Sequence, residues 1–328
     1  MKHYDWIWFL PLVLLGCANP HDAEAPWEAY YQQLESALDD GPVETRSPPN
    51  IGAFPAREAR LFDIDETRDS LLNVYALREC DITSLIAARN NQLGKVAPPS
   101  QQWLYERTLW QRLTLCGTSD VPEALSSENR ERLKQLTDTK TAQLPYVSWN
   151  AIFDSDEWTD NFARASHSLK IDDMPTIEPH LEAVRYLQQM VEHQFSLNWQ
   201  QDSSRLEEQL NTLRARPLTA EMLRTLMLAS QRLDDASQYL NEHATPEETC
   251  LPQRDEPRLA ALSDSAQQWL IAVNDLIDRH PIVTPEEVQA YQSKWLSLHA
   301  PDAPWQQYQG AIKSHERARA QFSNCSSN

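Results

Sequence analysis

Apolar residues recur at three- and four-residue intervals along most of this chain, and proline-bearing stretches separate the periodic runs. Such spacing predicts amphipathic helices. In the first half it places them over residues 27–38, 66–79, 81–93, 101–115, 122–142 and 156–167, punctuated by Pro145 and by Asp172-Asp173-Met174-Pro175. In the second half Leu181, Val184, Leu187, Val191, Phe195, Leu206, Leu210 and Leu213 predict one long helix over 179–214, stopped by Pro217. Further helices are predicted over 219–240, 258–279 and 286–322, the last interrupted by Pro301-Asp302-Ala303-Pro304. Thr245-Pro246-Glu247-Glu248 and Thr284-Pro285-Glu286-Glu287 read as capping boxes, each with Thr at the cap and Pro at the first helical position. Residues 41–55 hold four prolines and two glycines and predict an extended linker across the surface.

The pattern predicts an all-α fold. A helical region over 26–175, with a disulfide-stapled hairpin, precedes a long antiparallel four-helix bundle over 176–328. Only six glycines occur in 328 residues, which disfavours sheets joined by tight turns. The formal charge of −19 disfavours nucleic acid and anionic head groups as partners and reads as a solvated acidic surface.

The start of the chain adds a location. Lys2 precedes an apolar run over residues 6–15 that ends at Leu14-Leu15-Gly16-Cys17, too short to span a bilayer. It resembles a bacterial lipobox. That resemblance implies a signal peptide over 1–16, acylation of Cys17, a tether over 17–25, and a membrane anchor facing the periplasm. Ala18 in place of Asp points to the outer rather than the inner membrane. An oxidising compartment also suits the four remaining cysteines. If residues 94–100 turn the third and fourth helices into an antiparallel hairpin, Cys80 and Cys116 meet, leaving Cys250 for Cys325. Trp27, Tyr30 and Tyr31 follow the tether; Leu34 and Leu38 extend their face inward, which favours core packing over the lipid interface.

Motifs of catalysis are scarce. Leu61-Phe62-Asp63-Ile64-Asp65-Glu66-Thr67 resembles the first motif of haloacid-dehalogenase-type phosphatases, but the polar residues 56–60 before it form no buried strand. A loop leading into a helix is the expectation. The nine histidines are scattered without ligand spacing, and no Gly-x-Ser-x-Gly elbow, Walker loop or dinucleotide fingerprint appears, so neither metal nor cofactor is expected. One arrangement is more specific. Arg89 falls on the apolar face of the third helix and Glu106 on that of the fourth, placed to form a buried ion pair. Alternatively Arg89, Asn90, Lys95, Tyr105 and Glu106 line a polar pocket.

The same segment carries a resemblance. Leu85-Ile86-Ala87-Ala88-Arg89-Asn90-Asn91, Leu93-Gly94-Lys95-Val96, Pro99-Ser100 and Tyr105-Glu106 resemble the signature block of a gamma-proteobacterial family, domain-of-unknown-function family three thousand and eighty. Its members are mostly assigned as lipoproteins. The resemblance spans most of the mature chain and implies lineage and location, but no reaction, ligand or functional residue. Three expectations remain open: a non-enzymatic lipoprotein that binds another envelope component through helical faces, a small-ligand or glycan binder using the 89–106 hairpin, and an envelope hydrolase. Metabolic labelling with a palmitate analogue is expected to mark the native chain in cells and to leave Cys17→Ser unmarked.

Overall fold

Fifteen helices account for most of the residues that the computed structural model describes, namely 23–67, 70–169, 177–243, 250–251 and 256–324. Cys17 lies outside them. In chain order they are α1 (Ala25–Leu38), α2 (Arg57–Arg60), α3 (Leu71–Ala76), α4 (Thr83–Asn90), α5 (Gln92–Lys95), α6 (Pro99–Gly117), α7 (Val121–Ala124) and α8 (Ser127–Phe153). There follow α9 (Asp156–Asp160), α10 (Glu178–Glu192), α11 (Ser203–Arg214), α12 (Leu218–His243), α13 (Glu256–Asp278), α14 (Glu286–Tyr291) and α15 (Pro304–Arg319). Cys250–Leu251 and Ser323–Asn324 form a parallel pair of two-residue strands. No described helix is long and apolar enough to cross a membrane.

The fold is all-α, and several boundaries differ from the periodicity. Residues 179–214 form two helices rather than one. Asp202 caps α11 by accepting from the amides of Ser204 and Arg205 at 2.9 and 3.1 Å, and the chain between the two helices turns instead of continuing. Arg107 of α6 fills that break. Its buried guanidinium donates to the carbonyls of Ser196 at 2.7 Å and Trp199 at 2.9 Å, and it lies 4.8 Å from the Trp199 ring centroid. Conversely, α8 runs straight through Pro145, which lies buried amid Leu144, Ser148 and Trp149. Packing of the second half of α8 outweighs the missing amide bond.

Smaller corrections concern caps. The 66–79 helix shrinks to α3, whose start is set by Ser70 accepting from the Asn73 amide. The 156–167 helix stops at Asp160, because the Asn161 side chain turns to donate to the Leu213 carbonyl at 2.9 Å. Pro285, not Thr284, caps α14, and the Thr284 carbonyl takes a bond from the Gln289 amide group instead. The other box, at Thr245, lies outside the described residues, and the expected 286–322 helix is interrupted by a π turn at Gln292–Leu296 and a loop before α15.

One buried cluster draws side chains from Trp27 through Ala311, so both halves of the chain share it. Within it α10 packs against α11 and α13, and α12 packs along α15. An aromatic seam runs through the centre: Trp149 stacks on Phe153 at 3.8 Å, and His280 meets Trp149 edge-on at 5.0 Å. The extended segment after α1 is a strap rather than a loose linker. Ile51 is fully buried, Phe54 stacks on Phe162 at 4.1 Å, and Arg46 binds the buried Asp235 at 2.8 Å. Gly52 crosses so close to Trp295 that a Cβ there would lie 2.4 Å from the indole nitrogen.

Trp27, Tyr30 and Tyr31 are buried, and Tyr31 donates to the Arg232 carbonyl at 2.8 Å. The Tyr30 contact fixes a tautomer. Ser237 spends its proton on the Leu233 carbonyl, so its oxygen accepts from Nδ1–H of His315; Nε2 then accepts from the Tyr30 hydroxyl at 2.8 Å. Cys80 and Cys116 form a disulfide 36 residues apart. Closing a loop of that length contributes on the order of 4 kcal/mol in the chain-entropy picture. Cys250 is disulfide-bonded as well, and Cys325, expected as its partner, lies outside the described residues.

His180 and His280 are both buried, and burial pulls each imidazole down to about 4 from the ordinary 6.5. Between those values the unfolded chain binds more protons, so stability is highest above pH 6.5 and falls as the pH is lowered toward 4. The loss is on the order of 3 kcal/mol for each histidine. Urea unfolding measured from pH 6.5 to 5 is expected to show this slope, and His280→Asn is expected to flatten it by about half.

Candidate functional site

The first wall of the site is the chain just before α3, laid along α8 by side-chain to backbone bonds. Asn150 accepts from the Phe62 amide at 3.0 Å and donates to the Phe62 carbonyl at 2.8 Å. Trp149 donates to the Arg60 carbonyl at 2.7 Å, and Gln143 to the Asp65 carbonyl at 2.8 Å. These bonds hold the phosphatase-like sequence extended, with Asp63 and Asp65 exposed and no sheet beside it. Among the described residues no group of three His, Cys, Asp or Glu side chains is gathered as a metal would require.

The opposite wall is the hairpin of α4, α5 and α6, stapled at its base by Cys80–Cys116. Between the walls, with α3 at one side and α8 as the floor, lies a cleft of about 920 Å³. It is lined by Arg89, Asn90, Tyr105 and Glu106 of the hairpin, by Lys140 of α8, and by Asp65 and Glu66 of the extended segment. Aliphatic side chains of Val74, Ile86, Leu136 and Val147 make up much of the remaining surface. Lys95 closes α5, and its side chain lies outside what the structure describes.

The expected pairing of Arg89 with Glu106 does not form. Glu106 instead accepts from Lys140, which is nearly buried, at 2.9 Å, and Lys140 also reaches Gln143 at 3.3 Å. Arg89 donates to the Gly94 carbonyl and stands 5.9 Å from the Tyr105 ring centroid. The turn between α4 and α5 brings Gly94 so near the end of α4 that a Cβ would fall 2.4 Å from the Ala88 carbonyl oxygen, so this bond needs glycine there. Arg57 closes the far end in a two-pronged ion pair with Asp154 at 2.7 and 2.6 Å. The Tyr105 hydroxyl is pushed up to about 12, first by burial and then by the Glu106 carboxylate, with Arg89 pulling the other way. It is therefore a neutral donor at any physiological pH.

The chain belongs to the family described as Protein of unknown function (DUF3080). The match covers residues 27–271, which contain every wall of the cleft, whereas α14 and α15 follow it. No curated protein and no solved structure matches this DUF3080 chain.

Lys140 was not legible as a site residue, since it sits on a third helix 34 positions after its partner, although Asp65 and Glu66 lie in a motif the sequence singles out. Removing one partner of a half-buried ion pair strands the other charge. Lys140→Met is expected to cost about 2 kcal/mol in urea unfolding, and Glu106→Gln added to it is expected to recover at least half of that loss.

Proposed function

We propose that this protein is a lipid-anchored envelope protein, attached through Cys17 and more suited to the outer than the inner membrane, that binds a small, partly apolar molecule without catalysing a reaction. The cleft carries the reading. Its volume of about 920 Å³ lies within the range of small-molecule sites, and it joins aliphatic walls to a few charged groups that are already fixed by ion pairs. Its described lining contains no His, Cys or Ser side chain, which favours binding over hydrolysis.

A second reading, docking of another envelope protein, draws on α3. Leu71, Leu72 and Tyr75 are 83, 81 and 59 % exposed beside the cleft mouth, an unusual display for a soluble surface. The two readings part on one variant. Asn90 is exposed and lines the cleft, so Asn90→Trp obstructs the cleft without disturbing the core. Native mass spectrometry of protein taken from envelopes is expected to show a bound small molecule that Asn90→Trp lacks. A photo-crosslinker at position 90 that captured only protein, with no small molecule bound to the native chain, would overturn the ligand reading in favour of docking.

A further inference from the structure

We infer that the cleft takes a single-chain anionic amphiphile, a carboxylate or phosphate head on an alkyl or acyl tail, with Arg89 and Tyr105 receiving the head. This rests on the proposed function and names its ligand class.

The charge of −19 on the whole chain weighs against an extended anionic surface, but the sign of a single head group is set locally, by how the cations of the wall are engaged. Arg57 is held by Asp154 and Lys140 by Glu106, so both are neutralised within the protein. Arg89 is different. Its described bond goes to the Gly94 carbonyl, which takes one of five guanidinium donors and none of the charge. Half-buried at the cleft wall, that guanidinium can offer a carboxylate or phosphate paired, charge-assisted hydrogen bonds. Tyr105 lines the same wall with its ring 5.9 Å from the guanidinium, and its hydroxyl, which stays protonated, is a second donor there for an oxygen acceptor. Asp65 and Glu66 also line the cleft, on the side held to α8 through Gln143. The exposed Asp65 carboxylate disfavours an anionic head on that side and orients it toward α4 and α6.

The tail follows from the rest of the lining. Ile64, Val74, Ile86, Leu136 and Val147 are partly exposed aliphatic side chains contributed by four different elements. Burying an alkyl chain against them takes its apolar surface out of water, and each further methylene adds to the gain. The described lining offers little aromatic face for a sugar to stack on, since its aromatic side chain, Tyr105, has its ring beside the Arg89 guanidinium. The exposed Leu71 of α3 extends the apolar surface to the mouth, where a tail would enter.

The test uses the full, disulfide-bonded chain and three probes of equal tail length below their micellar concentrations: dodecanoate, dodecylammonium and dodecyl maltoside. Titration calorimetry is expected to give saturable, one-to-one binding that is tightest for dodecanoate. Arg89→Gln is expected to weaken dodecanoate at least tenfold while leaving dodecyl maltoside within twofold. Asn90→Asp, a change at an exposed position that places a negative charge at the same wall, is expected to weaken dodecanoate selectively as well. Tighter binding of dodecylammonium, equal binding of all three probes, no saturable binding of dodecanoate, or an unchanged dodecanoate affinity in both variants would overturn the head-group assignment, while the cleft could still hold another ligand. Dodecanoate bound equally by Asn90→Trp would overturn the cleft itself as the binding element.

Discussion

The structure turns on one buried guanidinium. Arg107 projects from the hairpin helix α6 into the break between α10 and α11, where it satisfies carbonyls that a continuous helix would have satisfied internally. A buried cation needs its donors taken up, and here the backbone of the interrupted segment and the Gln201 side chain take up those of the two terminal nitrogens, leaving only Nε without a partner among the described residues. The arrangement works in both directions. The break needs Arg107 to close its orphaned acceptors, and Arg107 needs the break to escape an unpaired burial. Trp103 and Trp199, 6.1 Å apart, line the same junction. The hairpin is thereby fixed to the long helices rather than resting on them.

Fixing α6 fixes the cleft. Tyr105 and Glu106 precede Arg107 on the same turn, so the residue that locks the helix into the core also sets the angle at which its neighbours face α8. The disulfide holds the foot of the hairpin, Lys140 holds its middle, and the bonds from α8 to the backbone of residues 60–65 hold the facing wall. A preformed cavity of this kind loses little entropy when it fills. Its charged groups are already oriented before any ligand arrives.

Much of the architecture could be read from the chain. Helical spacing located α1, α6, α12 and α13 to within a few residues, and hairpin geometry alone paired Cys80 with Cys116. What escaped has physical causes. The apolar spacing runs on through Val191, Phe195 and Leu206 although the backbone turns, burying Val191 and Leu206 and leaving Phe195 exposed, because periodicity records where apolar residues fall and is blind to the turn between them. Pro145 misled in the opposite sense, since local propensity yields to the packing of Trp149 and Phe153. At the site, Arg89, Asn90, Tyr105 and Glu106 do border one cleft, but the ion pair went to Lys140, and no spacing within a hairpin reveals a partner on a distant helix. A signal for Arg107 did exist: Trp103, Arg107 and Trp110 fall at helical intervals, which places a cation in the middle of the buried stripe.

The bond from Tyr30 to His315 spans 285 residues, and Leu34 shares its cluster with Leu251 and Phe322. A ribosome releases the first helix long before the last, so the aromatic face of α1 must wait for α12 to cover Tyr31 and for α15 to complete the cover over Tyr30. Throughout that interval two tyrosines and a tryptophan at the leading end of the nascent polypeptide stay available to chaperones. The contact of α1 with α15 thus carries a high cost in chain entropy, because it joins the first described helix to the last.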